Sequence, residues 1–187
     1  MRLRTNIIAA SLSVVSLAGL SGLGCGSSGG GGGDGGGGAC DMLTNYTATV
    51  ASSSFATDVY PILSNTDGSQ FGCGQTLICH GNPAMKLDMG GATLVFTDPA
   101  ATVLSNLMMP STNAPTMPRV SPGNPANSML AYKVSDKTVL ACADSKCTGM
   151  TTSNHTTTCG DPMPSIGSIT AAQRTTILDW IKLGAMP

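Results

Sequence analysis

The chain has 187 residues, a formal net charge of −1 and only 10% charged residues, and every acidic residue is Asp. This composition argues against nucleic acid as a partner, because no basic stripe is available to neutralise phosphates. Only seven residues are Phe, Tyr or Trp. We therefore expect disulfides or a buried cofactor to support the core.

The N-terminus has the pattern of an export signal. Arg2 and Arg4 precede an apolar stretch at residues 7–20, which is too short to span a membrane and is typical of a secretory signal peptide. The sequence SGLGC, ending at Cys25, resembles a bacterial lipobox, although Gly stands where Leu is usual. We predict a signal peptide at 1–24 and lipidation of Cys25. Ordinary signal cleavage, which leaves Cys25 as a free thiol, is the alternative.

A Gly-rich segment follows the signal, and we predict a flexible, lipid-anchored linker at 25–39 with a mean span of roughly 20 Å. The folded domain is then 40–187. Loss of the signal peptide leaves seven basic and ten acidic residues, a net charge of −3. The predicted location is the bacterial cell envelope, facing the periplasm or the cell surface, where oxidising conditions favour disulfides.

The first half of the folded domain is predicted to contain one short helix and one hairpin. Residues 41–54 are polar and are predicted to be loop. The apolar residues of 55–63 share one helical face, and Pro61 makes this helix short or lies in its first turn. Two apolar runs flanking two glycines predict a small β-hairpin at 85–96.

Two Pro-containing capping signals predict the next helices. Asp98-Pro99 predicts a helix to about Leu107, and Asn124-Pro125 predicts a second to about Val134. The intervening residues 110–125 contain five prolines and are predicted to be irregular.

The C-terminal part is predicted to be a loop followed by a helix. Residues 137–161 are polar, contain three cysteines and are predicted to form a disulfide-stapled loop. Thr170 and Gln173 have the spacing of a capping box. The helix that they open is predicted to end at Gly184.

Cys79-His80 is the most chemically distinctive pair of residues. In haem c attachment, Cys thiolates add to the haem vinyl groups and the adjacent His binds the iron. The simpler interpretation is a disulfide-bonded Cys beside a surface His.

Several segments in the same order resemble the cytochrome c-like domains of exported bacterial lipoproteins, over about residues 55–187. The matching segments are Pro61-Ile62-Leu63, the Cys79-His80-Gly81 motif, the stretch 119–130 (RVSPGNPANSML), Met163-Pro164, and 177–185 (ILDWIKLGA). The resemblance implies an all-α cytochrome c-like fold in which the first and last helices cross, with Trp180 packed against the first helix. It also implies Met163 as the distal iron ligand opposite His80.

The attachment motif departs from the family pattern C-x-x-C-H, because the nearest upstream cysteine is Cys73 and the spacing is C-x₅-C-H. In one arrangement Cys73 and Cys79 both form thioethers, which a longer loop allows at small entropic cost. In another, Cys79 alone is attached. In the third, Cys73 and Cys79 form a plain disulfide and no haem binds.

Other candidate ligands are weaker. His155 lies in a polar loop, and Met108, Met109 and Met117 are the kind of residue that fills irregular cores. A zinc site from Cys142, Cys147, Cys159 and His155 lacks the usual spacing. If Cys73 and Cys79 hold haem, Cys40, Cys142, Cys147 and Cys159 allow three disulfide pairings. Any pairing that includes Cys159 would brace the Met163 loop.

The leading functional prediction is a tethered mono-haem c-type cytochrome that transfers single electrons to a redox partner protein, with haem c held by Cys73, Cys79, His80 and Met163. The membrane is contacted through the lipid, and no enzymatic activity is expected. A peroxidase would need an open distal position on the iron. The alternative is a haem-free, disulfide-stapled surface lipoprotein that acts as a binding or assembly module, with three disulfides after Cys25.

Overall fold

Short helices joined by irregular segments make up the part of the chain that the computed structural model describes, which is residues 38–65, 94–111, 114–147, 157–164 and 168–187. These residues all belong to one unit, Gly36–Pro187. Within the described ranges there is no strand, only an isolated bridge between Pro110 and Pro118. Most of the predicted hairpin lies outside the described residues, and its described end, 94–96, is not a strand.

The helical class is confirmed for the described part of the chain. In order, its elements are α1 (Asp41–Thr44), a π-helical turn (Phe55–Val59), α2 (Tyr60–Ser64), α3 (Ala100–Leu107), a 3-10 turn (Pro125–Asn127), α4 (Met129–Lys133), α5 (Lys137–Ala141), a second 3-10 turn (Asp144–Lys146) and α6 (Ala171–Lys182). No helix among these is both long and apolar enough to cross a membrane.

The predicted helix at 55–63 is observed as the π-helical turn followed by α2. Pro61 lies in the first turn of α2, where its missing N–H group costs no helical hydrogen bond. Asn65 ends the helix in the left-handed conformation, with φ 64°. The face that carries Phe55, Val59 and Leu63 is fully buried, so its apolar spacing correctly predicted the face that packs into the core.

α6 begins and ends where its sequence signals predict. The Thr170 hydroxyl accepts a hydrogen bond from the Gln173 N–H (3.1 Å), and the Gln173 side chain accepts one from the Thr170 N–H (2.9 Å). Gly184 follows with φ 104°, a conformation that favours glycine. Trp180 is fully buried, and its ring centroid lies 5.2 Å from that of Phe55. The predicted packing of Trp180 against the helix predicted at 55–63 is therefore confirmed.

α3 begins one residue later than its sequence predicts. Pro99 is extended (ψ 142°) and is the N-cap residue, so the prediction that Asp98 caps this helix is wrong. The Pro99 carbonyl accepts the first helical hydrogen bonds, from the N–H groups of Thr102 (2.8 Å) and Val103 (3.1 Å).

The helix predicted to follow Asn124-Pro125 is split into the first 3-10 turn and α4. Ser128, between them, is extended (φ −120°, ψ 114°). Its fully buried hydroxyl accepts a hydrogen bond from the Ser121 N–H (2.8 Å) and donates one to the Asn124 carbonyl (2.9 Å). A side chain bonded to nearby backbone competes with helix formation, which accounts for the break.

Two segments predicted as loop contain short helices. α1 lies within 41–54, and α5 and the second 3-10 turn lie within 137–161. Asp136 caps α5 by accepting hydrogen bonds from the N–H groups of Thr138 (2.9 Å) and Val139 (3.1 Å). Asp136 is therefore a helix-start signal, which was missed because the segment that follows it is polar.

The N-terminal segment is fastened to α6 through a buried carboxylate. Asp179 is only 1% exposed. It accepts hydrogen bonds from the Tyr46 hydroxyl (2.7 Å), the Thr49 N–H (2.9 Å) and the Thr49 hydroxyl (2.6 Å). Burial would raise the pKa of Asp179, but these three donors outweigh it and lower the pKa. Burial and the carboxylate raise the pKa of Tyr46.

Candidate functional site

Of the residues predicted to form the haem site, Met163 lies in the described part of the chain. Cys73, Cys79 and His80 lie outside the described residues, as do Cys25 and His155. What the structure describes is therefore the segment that carries the predicted distal ligand, residues 157–164, named here the Met163 loop.

Two disulfides resolve the pairing that the sequence left open. Cys40 pairs with Cys142 and Cys147 with Cys159, with Cα–Cα distances of 5.4 Å and 5.3 Å. The second pairing includes Cys159, as the bracing of the Met163 loop requires. The zinc alternative is wrong, because the sulfurs of its three cysteines are all in disulfides.

The first half of the Met163 loop is a tight turn. The Thr157 hydroxyl donates a hydrogen bond to the Gly160 carbonyl (2.7 Å), and the Gly160 N–H donates one to the Thr157 carbonyl (2.9 Å). Gly160 has φ 86°, a conformation that a side chain would strain. The Asp144 carboxylate accepts a hydrogen bond from the Cys159 N–H (3.3 Å), which ties the turn to the second 3-10 turn.

The second half of the Met163 loop is held by Lys133, the last residue of α4. The Lys133 carbonyl accepts a hydrogen bond from the Met163 N–H (2.6 Å). The Lys133 amine donates hydrogen bonds to the carbonyls of Cys159 (2.5 Å) and Asp161 (2.9 Å). Sequence reasoning missed this lysine because the contacts span 26 and 28 residues.

Lys133 is a half-buried cation. Burial lowers its pKa to about 8, and the negative charge of Asp161 partly opposes that effect. The amine is therefore mostly protonated at neutral pH. Its hydrogen bonds to the two carbonyls are charge-assisted, and such bonds are stronger than neutral ones.

Met163 itself is half-buried and packs against the hydrophobic core. It lies between Pro162 and Pro164, whose rings fix φ and stiffen the chain. A thioether is a soft donor suited to haem iron, so this residue fits the predicted distal position in its chemistry. Among the described residues, no group of three or more His, Cys, Asp or Glu side chains is placed to hold a metal ion.

Other segments that carry the family resemblance pack closely together. The Gly123 N–H donates a hydrogen bond to the Ile181 carbonyl (2.7 Å). This bond joins residues 121–125, named here the SPGNP turn, to the end of α6.

Arg119 is buried, and its guanidinium donates a hydrogen bond to the Asn106 carbonyl (2.7 Å). Burial lowers the pKa of Arg119. The prediction of core-filling methionines is confirmed for Met117, which is fully buried, and is wrong for Met109, which is 46% exposed.

An open cleft of about 530 Å³ lies near the C-terminus, between residues 51–58 and 183–187. Its one acidic residue is Asp58, whose carboxylate accepts a hydrogen bond from the Ser54 N–H (2.7 Å). Met163 does not line this cleft. Comparison of the chain with family models, with curated proteins and with solved structures finds no match.

Proposed function

We propose that this chain is an envelope-tethered mono-haem c-type cytochrome that transfers single electrons. The observation that carries the proposal is the Met163 loop, a Met-Pro segment fixed by a disulfide on one side and by Lys133 on the other. Cys79-His80 and the four further segments that resemble the lipoprotein cytochromes support it from the sequence.

In this proposal Cys73 and Cys79 would hold haem c covalently, and His80 and Met163 would bind its iron. When bound, haem supplies reversible one-electron chemistry at its iron, and a thioether ligand raises the reduction potential. The chain's own contribution is to keep the Met163 sulfur in one place. A sulfur held by a stiff loop moves little between oxidation states, which favours fast electron transfer.

The cytochrome c-like arrangement of the fold is part of the same proposal. It is supported by the contact between the two ends of the domain, where Phe55 packs on Trp180. The Phe55 N–H also donates a hydrogen bond to the Met186 carbonyl (3.0 Å). These contacts join the π-helical turn that precedes α2 to α6 and the C-terminal residues, and the proposed fold requires these two helical segments to cross.

In this proposal the lipid tether joins the folded domain at its first disulfide-bonded residue, Cys40. Cys40, which follows the Gly-rich linker, is bonded to Cys142. The linker therefore ends at a covalently fixed point, and the domain can move as one body on a lipid at Cys25. Such a tether would let the protein reach a redox partner without diffusing away.

The test is expression of the full chain in a host that installs haem c, followed by a pyridine haemochrome spectrum. We expect a c-type spectrum, with a band position that separates one thioether from two. Cys73→Ala with Cys79→Ala should lose covalent haem, whereas the control Cys25→Ala should lose the lipid and keep haem. A colourless wild-type protein from a competent host would reject the proposal.

The haem-free alternative predicts a different cysteine inventory. Two disulfides join four of the cysteines, and the alternative adds a third between Cys73 and Cys79. Alkylation after reduction would then label six cysteines besides Cys25. A cytochrome with two thioethers would have only four labelled, so intact mass separates the two proposals.

A further inference from the structure

Lys133 joins α4 to the Met163 loop at three backbone atoms. Its amine bonds to the carbonyls of Cys159 and Asp161, and its own carbonyl accepts from the N–H of Met163. Residues 159, 161 and 163 are every second residue of the loop. One lysine therefore contacts the loop backbone from Cys159 to Met163.

The other restraints on the loop act nearer its start. The disulfide attaches Cys159, and the hydroxyl of Thr157 closes the turn at Gly160. The bonds from Lys133 carry the restraint on to residues 161 and 163. Because Cys159 is buried and Asp161 is half-buried, removing the lysine amine would leave two partly desolvated carbonyls without this charged donor.

The geometry points to Lys133 as a positioning residue for the Met163 thioether, acting through the loop backbone and without touching a cofactor. This inference rests on the proposed function, because a fixed sulfur matters most for a haem ligand. A loop freed from Lys133 would let the sulfur leave its position and become more exposed to water.

Three variants of the full chain separate this role from general stability. Lys133→Met removes the amine and keeps an unbranched side chain, and Lys133→Arg keeps charged donors. Lys137→Met is the matched control, since Lys137 is an exposed lysine on neighbouring α5. The haem-independent readout is the rate at which hydrogen peroxide oxidises Met163 to its sulfoxide, followed by peptide mass spectrometry. Met42, which is 38% exposed, is the internal reference.

We expect Lys133→Met to raise the Met163-to-Met42 oxidation ratio about tenfold, equivalent to about 1.4 kcal/mol easier opening of the loop. Lys133→Arg and Lys137→Met should leave the ratio close to wild type. In haem-loaded protein, Lys133→Met should also weaken the sulfur-to-iron charge-transfer absorption and lower the reduction potential, and Lys133→Arg should restore both.

The possible results distinguish the positioning role of Lys133 from the proposed electron-transfer function. A lower melting temperature with an unchanged oxidation ratio would make Lys133 merely structural and overturn the inference. A raised ratio in a chain that never takes up haem would support the positioning role and reject the electron carrier. Haem-loaded Lys133→Met with unchanged absorption and potential would reject the positioning role alone.

A measurement on the wild type covers the case in which Lys133→Met does not fold. The Met163 amide donates to the Lys133 carbonyl, so its hydrogen exchange should be slowed relative to an unstructured peptide. Exchange at the unstructured rate would overturn the inference.

Discussion

Asp179 shows how a single buried carboxylate can join two distant parts of the chain. Its three donors come from Tyr46 and Thr49, 130 to 133 residues earlier in the sequence. Its partners among the described residues are neutral hydroxyl and N–H donors, so hydrogen bonds stabilise its charge. The N-terminal segment, which follows the predicted tether, is held on α6 through this residue.

Replacing Asp179 with Ala should destabilise the domain by about 3 kcal/mol, because buried donors on Tyr46 and Thr49 would lose their acceptor. Chemical denaturation measures the loss. Asp58→Ala is the control, since Asp58 is exposed and also accepts a backbone hydrogen bond. Equal losses for the two variants would contradict the argument from burial.

Asp179 should also make stability depend on acid. Its folded pKa is lowered, so its contribution is fully present above its unfolded pKa of about 3.9 and is lost as pH falls through the folded value. Denaturation from pH 6 to pH 2 should show a steeper loss in wild type than in Asp179→Asn. Parallel curves would show that this carboxylate does not contribute to acid sensitivity.

At Met163, the expected effect is on redox chemistry rather than on folding. Met163→Ala should lower the reduction potential of haem-loaded protein by on the order of 0.1 V, within the range of about 0.8 V that axial ligands control. Protein-film voltammetry measures the change, with Met109→Ala as the control because Met109 is exposed. A potential that does not move would favour an open, peroxidase-like distal position.

At the scale of elements, α6 is the helix with the most complete local signals. Thr170→Ala should remove one half of its capping box and cost about 1 kcal/mol, or about 2–4 °C in Tm. Thr176→Ala is a matched control, since the Thr176 hydroxyl only donates back to the Ala172 carbonyl (3.1 Å) within the helix. Thermal unfolding should show a decrease for Thr170→Ala alone.

The elements that could be predicted from sequence are those with local causes. The capping box of α6 and Pro61 in the first turn of α2 act within a few residues, so both helices were predicted correctly. Ser128 breaks its predicted helix through hydroxyl contacts with the SPGNP turn that spacing does not reveal. α1 and α5, of four and five residues, are too short for an apolar period to mark them.

At the candidate site, the contacts that hold Met163 could not be predicted from the sequence. Met163 was singled out because a Met-Pro pair matches a family pattern, whereas Lys133 reaches its loop from a helix nearly thirty residues away. Even with Cys73 and Cys79 set aside for haem, the sequence likewise allowed three equivalent disulfide pairings. Long-range contacts of this kind depend on the packed fold, so the composition of a segment cannot identify them.

For the whole molecule, the two disulfides close loops of very different length. Cys40 and Cys142 are 102 residues apart, and Cys147 and Cys159 are 12 apart. Restricting the unfolded chain stabilises the folded state by about 4.7 kcal/mol for the long loop and about 2.8 kcal/mol for the short one. The long cross-link therefore secures the domain as a whole, and the short one secures the Met163 loop.

Paired alanine variants should separate these two effects. Cys40→Ala with Cys142→Ala should lower the free energy of unfolding by about 2 kcal/mol more than Cys147→Ala with Cys159→Ala, in urea denaturation of the full chain. The second pair should instead speed limited proteolysis within residues 157–164 and leave the rest of the domain protected, because those residues lose their covalent attachment. The opposite finding is that the two double variants lose equal free energy of unfolding, or are cleaved at residues 157–164 at the same rate. Either result would mean that the short disulfide supports the core and not the loop that carries Met163.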